Sequence, residues 1–313
     1  MTSKNYDLCV AFGSLRSGTT MLRLMLDGHP DIVCPGETDF LLDYLTLDQH
    51  CQWRYDLEGL AADRIFKSSR ARLPDTDLAK PAFASMVNDL RGDSKGCLVL
   101  VLHRGLERLL KLEPHIKVLH LLRDPRDVAR SAIGMGWAGN VYYGTRTWLG
   151  TEREWERVAT RLDARQSLEL RYEVLVGNPK KVLSEICEFL GRSYDLAMLD
   201  YHGNSTYDRP NPSLIEQWRR KLTQREVGLI EPLFGGLLAK RGYEPSGYDP
   251  VVPGPIGRLK LRVEHSRSVW RRRFARYGVI DPLLVRFGGG LGFTGLARST
   301  QARMDVITRQ HLK

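Results

Sequence analysis

The sequence predicts an α/β protein with a doubly wound, mainly parallel sheet flanked by helices. Three short apolar runs, residues 6–12, 97–102 and 117–122, have the length and composition of buried parallel strands. Helical segments alternate with them along the chain, and this alternation is typical of a doubly wound sheet. The helices are predicted at residues 19–27, 105–112, 126–133 and 179–190.

The sequence predicts a domain at residues 1–250 and a basic C-terminal extension at residues 251–313. The boundary is placed where Gly and Pro become frequent, since both interrupt regular structure. Residues 256–277 are predicted to form a helix, and the glycine-rich stretch at 286–293 that follows cannot continue it. Residues 41–93 are polar and rich in turn residues, and we interpret them as an insertion between the first two core strands.

The net charge of +10 resides in the extension, because residues 256–313 contain thirteen Lys or Arg and only three acidic residues. Such a concentration of positive charge favours an anionic partner, and an anionic membrane surface is the one we expect. Nucleic acid is not the expected partner. The alternative is a solvated basic face that only improves solubility, and the oligomeric state is not predicted.

The composition also bears on the compartment. The five cysteines are an odd number without a CxxC pair, which favours neither a disulfide framework nor a zinc site. The N-terminal residues lack the apolar run of a signal peptide, and no run of eighteen apolar residues occurs. We therefore expect a cytoplasmic protein, peripheral to a membrane if the basic extension binds one.

The strongest motif is the loop GSLRSGTT, residues 13–20, between the first predicted strand and the first predicted helix. Backbone N–H groups and the positive end of the helix dipole converge in such a turn and form a site for phosphate or sulfate. The spacing of Gly13 and Gly18 is that of a Walker A loop, so the fold is predicted to be P-loop NTPase-like. Thr19 stands where nucleotide kinases have lysine, which disfavours nucleoside triphosphates.

No metal ion is expected at this loop. An anion of lower charge than a triphosphate needs only backbone amides, the hydroxyls of Ser17, Thr19 and Thr20, and one cation at Arg16.

A second motif, LLRDPRDVARS at residues 121–131, is again a strand end that continues into a helix. Strand ends of an open α/β sheet share one ligand face, so this loop is expected near the first. Arg123 offers a fork of donors for a phosphate, and Ser131 adds a hydroxyl two turns into the helix. The two motifs predict one loop for each charged end of a nucleotide.

These motifs resemble the two phosphate loops of sulfotransferases that use 3'-phosphoadenosine 5'-phosphosulfate (PAPS). The resemblance is carried by RSGTTMLRLMLDGHPDI at residues 16–32 and by the RDPR turn, and it extends loosely over residues 6–245. It implies transfer of a sulfuryl group to an acceptor hydroxyl, with adenosine 3',5'-bisphosphate (PAP) as the product. It further implies that Arg16 contacts the sulfuryl oxygens, that residues 17–20 bind the 5'-phosphate and that Tyr172 lines the nucleotide pocket.

The resemblance also suggests the general base. Glu37 follows Arg16 by 21 residues, a spacing similar to that of the base in the carboxylate-base branch, which includes tyrosylprotein and bacterial sulfotransferases. Other branches use a strand-end histidine, so His103 is the alternative base. Many relatives have a lysine near this histidine, and here either Arg104 supplies that charge or Arg16 acts alone. Asp39 and Asp43 are less favoured neighbours of Glu37.

Residues 203–221 resemble loosely the segment that closes over the nucleotide, and Ser205 and Arg219 are the predicted donor contacts there. The acceptor stays open among carbohydrates, glycolipids, small alcohols and tyrosine, with a carbohydrate or lipid-linked hydroxyl preferred. Two other functions stay open as well. One is a P-loop phosphotransferase that uses ATP, and the other is a nucleic-acid-binding protein with a degenerate nucleotide fold.

Overall fold

The protein is described by a computed structural model for residues 7–204, 207–287 and 294–311. Its elements are numbered in chain order. Five parallel strands form the central sheet in the order β2 (Ile32–Val33), β5 (Cys97–Leu102), β1 (Leu8–Gly13), β6 (Lys117–Leu122) and β7 (Ser167–Arg171). A hairpin of β3 (Leu45–Leu47) and β4 (Trp53–Tyr55) forms a separate two-stranded sheet. The predicted parallel α/β fold is confirmed.

The helices connect these strands and continue beyond them. They are α1 (Thr19–Asp27), α2 (Phe40–Asp43), α3 (Leu57–Ala62), α4 (Arg64–Ser68), α5 (Ala79–Arg91), α6 (Leu106–Leu112), α7 (Pro125–Gly134), α8 (Val141–Ala159), α9 (Tyr172–Gly177), α10 (Pro179–Leu190), α11 (Trp218–Lys221), α12 (Gln224–Phe234), α13 (Leu237–Lys240), α14 (Pro255–Tyr277), α15 (Ile280–Phe287) and α16 (Thr294–His311).

The central strands are apolar on both faces because each face is covered by a separate core. In β1, Val10 and Phe12 belong to one cluster of buried side chains, while Cys9 and Ala11 belong to the other. All six residues of β5 are buried. Burial on both faces explains why these strands appear in the sequence as continuous apolar runs rather than as alternating patterns.

The segment at residues 41–93 is more ordered than an insertion of polar turns. It contains the β3–β4 hairpin and helices α3 to α5, and it contributes Phe66, Phe83 and Met86 to one of the two cores. The buried side chains recur at helical spacing in α5, where Phe83, Met86 and Leu90 share one face.

The chain divides into two compact units. One comprises Met1–Asp124 and Thr147–Gln217 and contains the whole central sheet. The other comprises Pro125–Arg146 and Trp218–Lys313. The predicted boundary at residue 250 lies within this second unit and remains a prediction.

Within the second unit, a buried arginine joins α7 to the segment after residue 218. Arg126 is 1% exposed, its guanidinium lies 3.7 Å from the ring centroid of Trp218, and it donates to Glu231 Oε1 at 2.6 Å. The Asp127 carboxylate accepts from the backbone N–H of Trp218 at 2.7 Å. Because the charges are paired, their burial is tolerated.

We predict that Gly13→Ala destabilises the protein by about 1–3 kcal/mol, as overpacking of a close-packed core does. A Cβ at position 13 would lie 2.6 Å from the carbonyl oxygen of Leu121 on β6. Urea unfolding monitored by circular dichroism measures the effect.

Gly150→Ala is the matched control, because position 150 lies inside α8 and a Cβ placed there would have no other heavy atom of the described residues within 4 Å beyond its own helix backbone. This variant should keep or slightly raise stability, since alanine is the better helix former by about 1 kcal/mol. Equal midpoints for Gly13→Ala and the wild type would refute the close approach of β1 and β6.

Candidate active site

The carboxyl ends of the central strands open into one cavity of about 390 Å³. Its wall combines residues from the loop after β1, from the loop after β6, from the start of α9 and from an irregular segment that ends at Leu214. The lining residues are Arg16, Gly18, Thr19, Thr20, Met21, Arg123, Tyr172, Tyr207, Asp208, Arg209, Pro210, Asn211 and Leu214. Six of the residues predicted from the sequence are therefore brought together.

The loop after β1 has the backbone of an anion-binding turn. Arg16 has a φ of +74° and Gly18 a φ of +93°, both in the left-handed region. For Arg16 this conformation is uncommon and costs free energy that the surrounding contacts offset. At Gly18 it is easily adopted, and a side chain there would also be excluded, since a Cβ would lie 2.4 Å from Cδ2 of Tyr172.

Ser17 contributes to this loop differently from Thr19 and Thr20. Its side chain is 1% exposed, and its Oγ lies 2.6 Å from Oγ of Ser14. Its backbone N–H donates to the Ser14 carbonyl at 3.0 Å. Ser17 therefore closes the turn from inside, and it is not among the residues that line the cavity.

Arg123 is fixed in the cavity wall by three contacts. Its guanidinium donates to the backbone carbonyls of Arg16 at 2.9 Å and Leu214 at 3.1 Å, and it stacks 4.1 Å from the ring centroid of Tyr172. Its backbone carbonyl accepts from the buried indole of Trp148 at 3.1 Å. Planar stacking and a fork of donors are properties that lysine lacks at such a position.

Two guanidinium groups from the strand-end loops thus face one cavity. Burial lowers the pKa of Arg16, and the charge of Arg123 lowers it further, while Tyr207, Tyr172 and Glu37 oppose this effect. Arginine stays protonated despite such a shift. The site is therefore electropositive and partly desolvated, which strengthens its attraction for an anion.

A second network reaches the loop from β5. The imidazole of His103 is 4% exposed, its Nδ1 lies 2.7 Å from Oδ2 of Asp39, and its Nε2 lies 3.2 Å from Oγ1 of Thr19. Oδ1 of Asp39 also accepts the backbone N–H of His103 at 2.8 Å. Both ring nitrogens of His103 are therefore engaged by protein side chains.

The charge of Asp39 is stabilised by this network. Burial alone would raise the pKa of Asp39, but the hydrogen bond and charge of His103, together with the charge of Arg104, outweigh burial and lower it. The Arg104 guanidinium is also bound to both carboxylate oxygens of Asp43, and it does not line the cavity. Its alternative role as the sulfuryl contact remains a prediction.

Glu37 differs from these buried acids because its side chain is exposed to solvent. It follows Gly36, whose φ is +126°, and forms an isolated parallel bridge with Val101 of β5. The carboxylate is close enough to Arg16 to affect the pKa of that side chain. The chain therefore turns back toward the loop after β1 at Glu37.

Besides Ser17, three of the predicted donor contacts are not among the cavity residues. Ser205 lies outside the described residues. Ser131 and Arg219 belong to the second unit, Ser131 in α7 and Arg219 in α11 with its guanidinium 4.4 Å from the ring centroid of Trp218. Their part in binding the donor remains a prediction. Conversely, the cavity residues Tyr207 to Asn211 were not predicted individually, because an irregular segment has no periodicity to mark it.

A tight turn at the carboxyl edge of a parallel sheet, with two arginines lining the cavity beside it, is typical of a transferase that acts on an anionic substrate. The chain matches the Sulfotransferase family over residues 10–195, and it belongs to that family. It is a sulfotransferase rather than an ATP-dependent kinase or a degenerate nucleotide fold that binds nucleic acid.

The similar curated proteins are protein-tyrosine sulfotransferases. The chain is 26% identical to protein-tyrosine sulfotransferase 1 of Danio rerio over 285 residues, which is 81% of this chain and 77% of that protein. It is 25% identical to protein-tyrosine sulfotransferase 1 of Homo sapiens over 306 residues, which is 87% of this chain and 78% of that protein.

Solved structures support the fold. The sulfotransferase domain from the curacin biosynthetic pathway has a TM-score of 0.58 at 19% identity and covers 77% of this chain and 99% of that one. The sulfotransferase domain from the Synechococcus PCC 7002 olefin synthase has a TM-score of 0.55 at 22% identity and covers 71% and 90%.

The prediction of a cytoplasmic protein is wrong. The similar curated proteins are protein-tyrosine sulfotransferases, a class of Golgi membrane enzymes. The prediction relied on composition, which does not determine the compartment. Within the described ranges, no helix has both the length and the apolar character needed to cross a bilayer.

We predict that Asp39→Asn lowers stability at neutral pH by about 2 kcal/mol, because a charged hydrogen bond is lost from a buried site. Because the pKa of Asp39 is lowered in the folded state, its ionised carboxylate stabilises the protein at pH values above the unfolded-state pKa of about 3.9. This stabilisation is lost as the pH falls through the folded-state pKa. When urea unfolding is measured from pH 7 to pH 3, the free energies of unfolding of the wild type and Asp39→Asn should therefore approach each other in acid.

Asp77→Asn is the control, since Asp77 forms an exposed ion pair with Arg54 that should contribute little. A difference between wild type and Asp39→Asn that is the same at pH 3 and pH 7 would contradict the charged pairing of Asp39 with His103.

Proposed function

We propose that this enzyme transfers the sulfuryl group of PAPS to an acceptor hydroxyl at the cavity beside the loop of residues 13–18. The observation that carries the proposal is the pair of guanidiniums, Arg16 and Arg123, on two separate strand ends that face one cavity. A nucleotide with charged groups on both sides of its ribose fits such a pair. The family supports the donor, since its members are sulfotransferases.

The residues present fit this donor. Nε of Arg123 is buried and has no hydrogen-bond partner among the described residues, although the other guanidinium nitrogens donate to carbonyls. A buried donor without a partner is costly, and a phosphate oxygen would satisfy it. Arg16, the amides of residues 18–20 and the hydroxyls of Thr19 and Thr20 would hold the 5' end. We propose that no metal ion takes part.

In the proposed reaction, Glu37 accepts the proton of the acceptor hydroxyl. The acceptor oxygen forms a bond to sulfur as the bond between sulfur and the 5'-phosphate oxygen breaks, and PAP leaves. Glu37 suits this role because its carboxylate is exposed to an entering acceptor and lies near Arg16. Arg16 stabilises the negative charge that develops on the sulfuryl and leaving oxygens.

His103 has a different part in this proposal. It is buried, and both of its ring nitrogens already have partners. Asp39 holds the ring through Nδ1, and Nε2 lies 3.2 Å from Oγ1 of Thr19 on the loop that would bind the donor. His103 thereby acts as a positioning residue, with Asp39 fixing its orientation, and it remains the alternative base that mutation must exclude.

The acceptor proposed for the first assay is a tyrosine hydroxyl. The similar curated proteins are protein-tyrosine sulfotransferases that match more than four fifths of this chain. A carbohydrate or lipid-linked hydroxyl, preferred from the sequence alone, has no comparable support and forms the second panel of acceptors.

Calorimetric titration should show that the wild type binds PAP much more tightly than ATP. We predict that Arg123→Ala weakens PAP binding about a hundredfold, since on the order of 2–3 kcal/mol of charged hydrogen bonding is lost. Arg104→Ala is the control, because Arg104 is paired with Asp43 outside the cavity lining. Unchanged PAP affinity in Arg123→Ala, or equal loss in both variants, would overturn the donor site.

Glu37→Gln should retain PAP affinity and lose turnover by about a hundredfold to ten-thousandfold, the usual contribution of a general base. Transfer of ³⁵S from labelled PAPS to tyrosine peptides measures the rate, and Glu185→Gln, at an exposed position of α10, controls for loss of an acid. His103→Ala should weaken donor binding as well as turnover. If Glu37→Gln is fully active while His103→Ala is inactive with normal PAP affinity, the base is His103.

A further inference from the structure

The outer face of α14 exposes an apolar stripe to solvent. Ile256, Leu259 and Val263 are 73%, 59% and 57% exposed. They follow one another at spacings of three and four residues, so they share one side of the helix, and Trp270 and Phe274 continue this side further along. The rings of Trp270 and Phe274 are half-buried, with centroids 5.3 Å apart.

The opposite side of α14 is the one anchored within its unit. His265 stacks on Tyr143 at 4.2 Å and accepts the backbone N–H of Gly139 at 3.0 Å. Asn140 donates to the carbonyl of Leu261 at 2.9 Å, and Arg272 donates to carbonyls of residues 133 and 134. These contacts leave the stripe facing away from residues 133–143.

Positive charge flanks the stripe on both sides. The helix carries eight Lys or Arg and one Glu. At 3.6 residues per turn, Lys260 and Arg267 border one edge of the stripe, while Arg262 and Arg273 border the other. An amphipathic helix with apolar side chains between basic residues is typical of helices that lie in the interface of an anionic bilayer.

A cleft on the anchored side of α14, where the helix faces residues 134–137, offers a place for a phosphate group. It has a volume of about 490 Å³, and Arg273 and Arg276 line it together with Trp137 and Tyr277. Within residues 7–204, 207–287 and 294–311, neither of these arginines has a carboxylate partner. Their charges therefore remain available to an anion from outside the chain.

Exposed apolar side chains are concentrated in this part of the chain. Ten of the nineteen large hydrophobic residues exposed in the described ranges lie between residues 252 and 306, among them Ile280, Leu283 and Phe287 along one side of α15. Scattered exposed apolar residues need no explanation, but a cluster of them marks an interaction surface.

We propose that the outer face of α14, defined by Ile256, Leu259 and Val263 with the flanking basic residues, docks on an anionic phospholipid surface. Acyl chains bury the stripe, and lipid phosphates pair with the guanidinium groups. A nucleic acid would satisfy the cations and leave the stripe in water. A symmetric second copy would bury the stripe and bring like charges together, because a two-fold interface faces itself.

The test uses the full chain and co-sedimentation with phosphatidylcholine vesicles, prepared with and without phosphatidylserine. Binding should be at least tenfold tighter to the vesicles that contain phosphatidylserine and should weaken with added salt. Equal binding to both vesicles, or no binding to either, would overturn the proposal.

Two sets of variants locate the surface. Lys260→Gln, Arg262→Gln and Arg267→Gln together should weaken binding about a hundredfold, and Leu259→Gln with Val263→Gln about tenfold. Glutamine is a good helix former, so α14 should persist, which circular dichroism checks. One control replaces Lys80, Lys95 and Lys180 with glutamine and so removes the same charge. The other replaces Leu73 and Leu196 with glutamine and so removes a similar apolar area. All five side chains are exposed on other parts of the chain. Equal effects of variants and controls would refute a docking face on α14.

Three further measurements exclude other occupants. Inorganic phosphate should displace the protein from vesicles no better than sodium chloride of equal ionic strength, and complete displacement by phosphate alone would reduce the site to one for a free anion. Duplex DNA should bind more weakly than the anionic vesicles, and DNA binding that depends on Leu259 and Val263 would contradict the proposal. If sedimentation shows a dimer, the double variant Leu259→Gln and Val263→Gln should not dissociate it. Dissociation by this variant would contradict the proposal.

PAP binding in every variant should be unchanged, which separates this proposal from that for the donor site.

Discussion

The parallel pairing of β1 with β5 and β6 is the constraint on which the active site depends. The register places Phe12 opposite Leu102 and Gly13 opposite Leu121, so three strands end at the same level. Adjacent strands are about 4.8 Å apart, and each loop must therefore begin within one or two strand widths of the others. This spacing allows Arg123, which follows β6, to donate to the carbonyl of Arg16, which follows β1. Gly13 permits the approach because it has no side chain between the strands.

The same convergence concentrates positive charge that an anionic ligand would offset. Arg16, Arg123 and Arg209 line the cavity, against the single carboxylate of Asp208. Carbonyl oxygens and the face of Tyr172 stabilise Arg123 in part, yet these groups carry no net charge. Burial of Arg16 beside Arg123 disfavours its charged form, as the lowered pKa of Arg16 shows. The excess of guanidiniums keeps the site ready for a charged ligand, at the expense of some stability.

The elements predicted correctly from the sequence are those whose burial is unambiguous. Cys97–Leu102 and Lys117–Leu122 are the predicted strands because continuous apolar runs suit a sheet covered on both faces. The edge strand Ile32–Val33 was not predicted, since two residues give no periodic signal. The sequence of residues 41–93 predicts polar turns because α3 and α4 are short and bury one side chain each, and the longer α5 lies among many polar residues. The positions of Arg16, Thr19, Arg123 and Tyr172 were predicted through motifs.

Other parts of the site depend on contacts between residues far apart in the chain. The bond between Asp39 and His103 links residues 64 positions apart, and no local pattern marks it. The same holds for the lining residues Tyr207 to Asn211, which occupy an irregular segment. The hydroxyl of Ser17 was expected in the cavity, but the tight turn directs it to Ser14. Motifs identify the residue types of a phosphate loop, whereas the direction of each side chain depends on the tertiary packing.

The contrast between Glu37 and His103 follows from where the two side chains lie relative to solvent. A base for a hydroxyl that enters from outside must reach that hydroxyl while holding a lone pair free. His103 is almost fully buried, and Asp39 and Thr19 occupy its two nitrogens, so it can act on an acceptor only after one of these bonds breaks. Glu37 is exposed to solvent and close enough to Arg16 to affect the pKa of that side chain, and in the proposed reaction an entering acceptor meets its carboxylate. The buried pair of Asp39 and His103 instead contacts Thr19 on the loop after β1, which leaves the exposed carboxylate of Glu37 as the base that we propose.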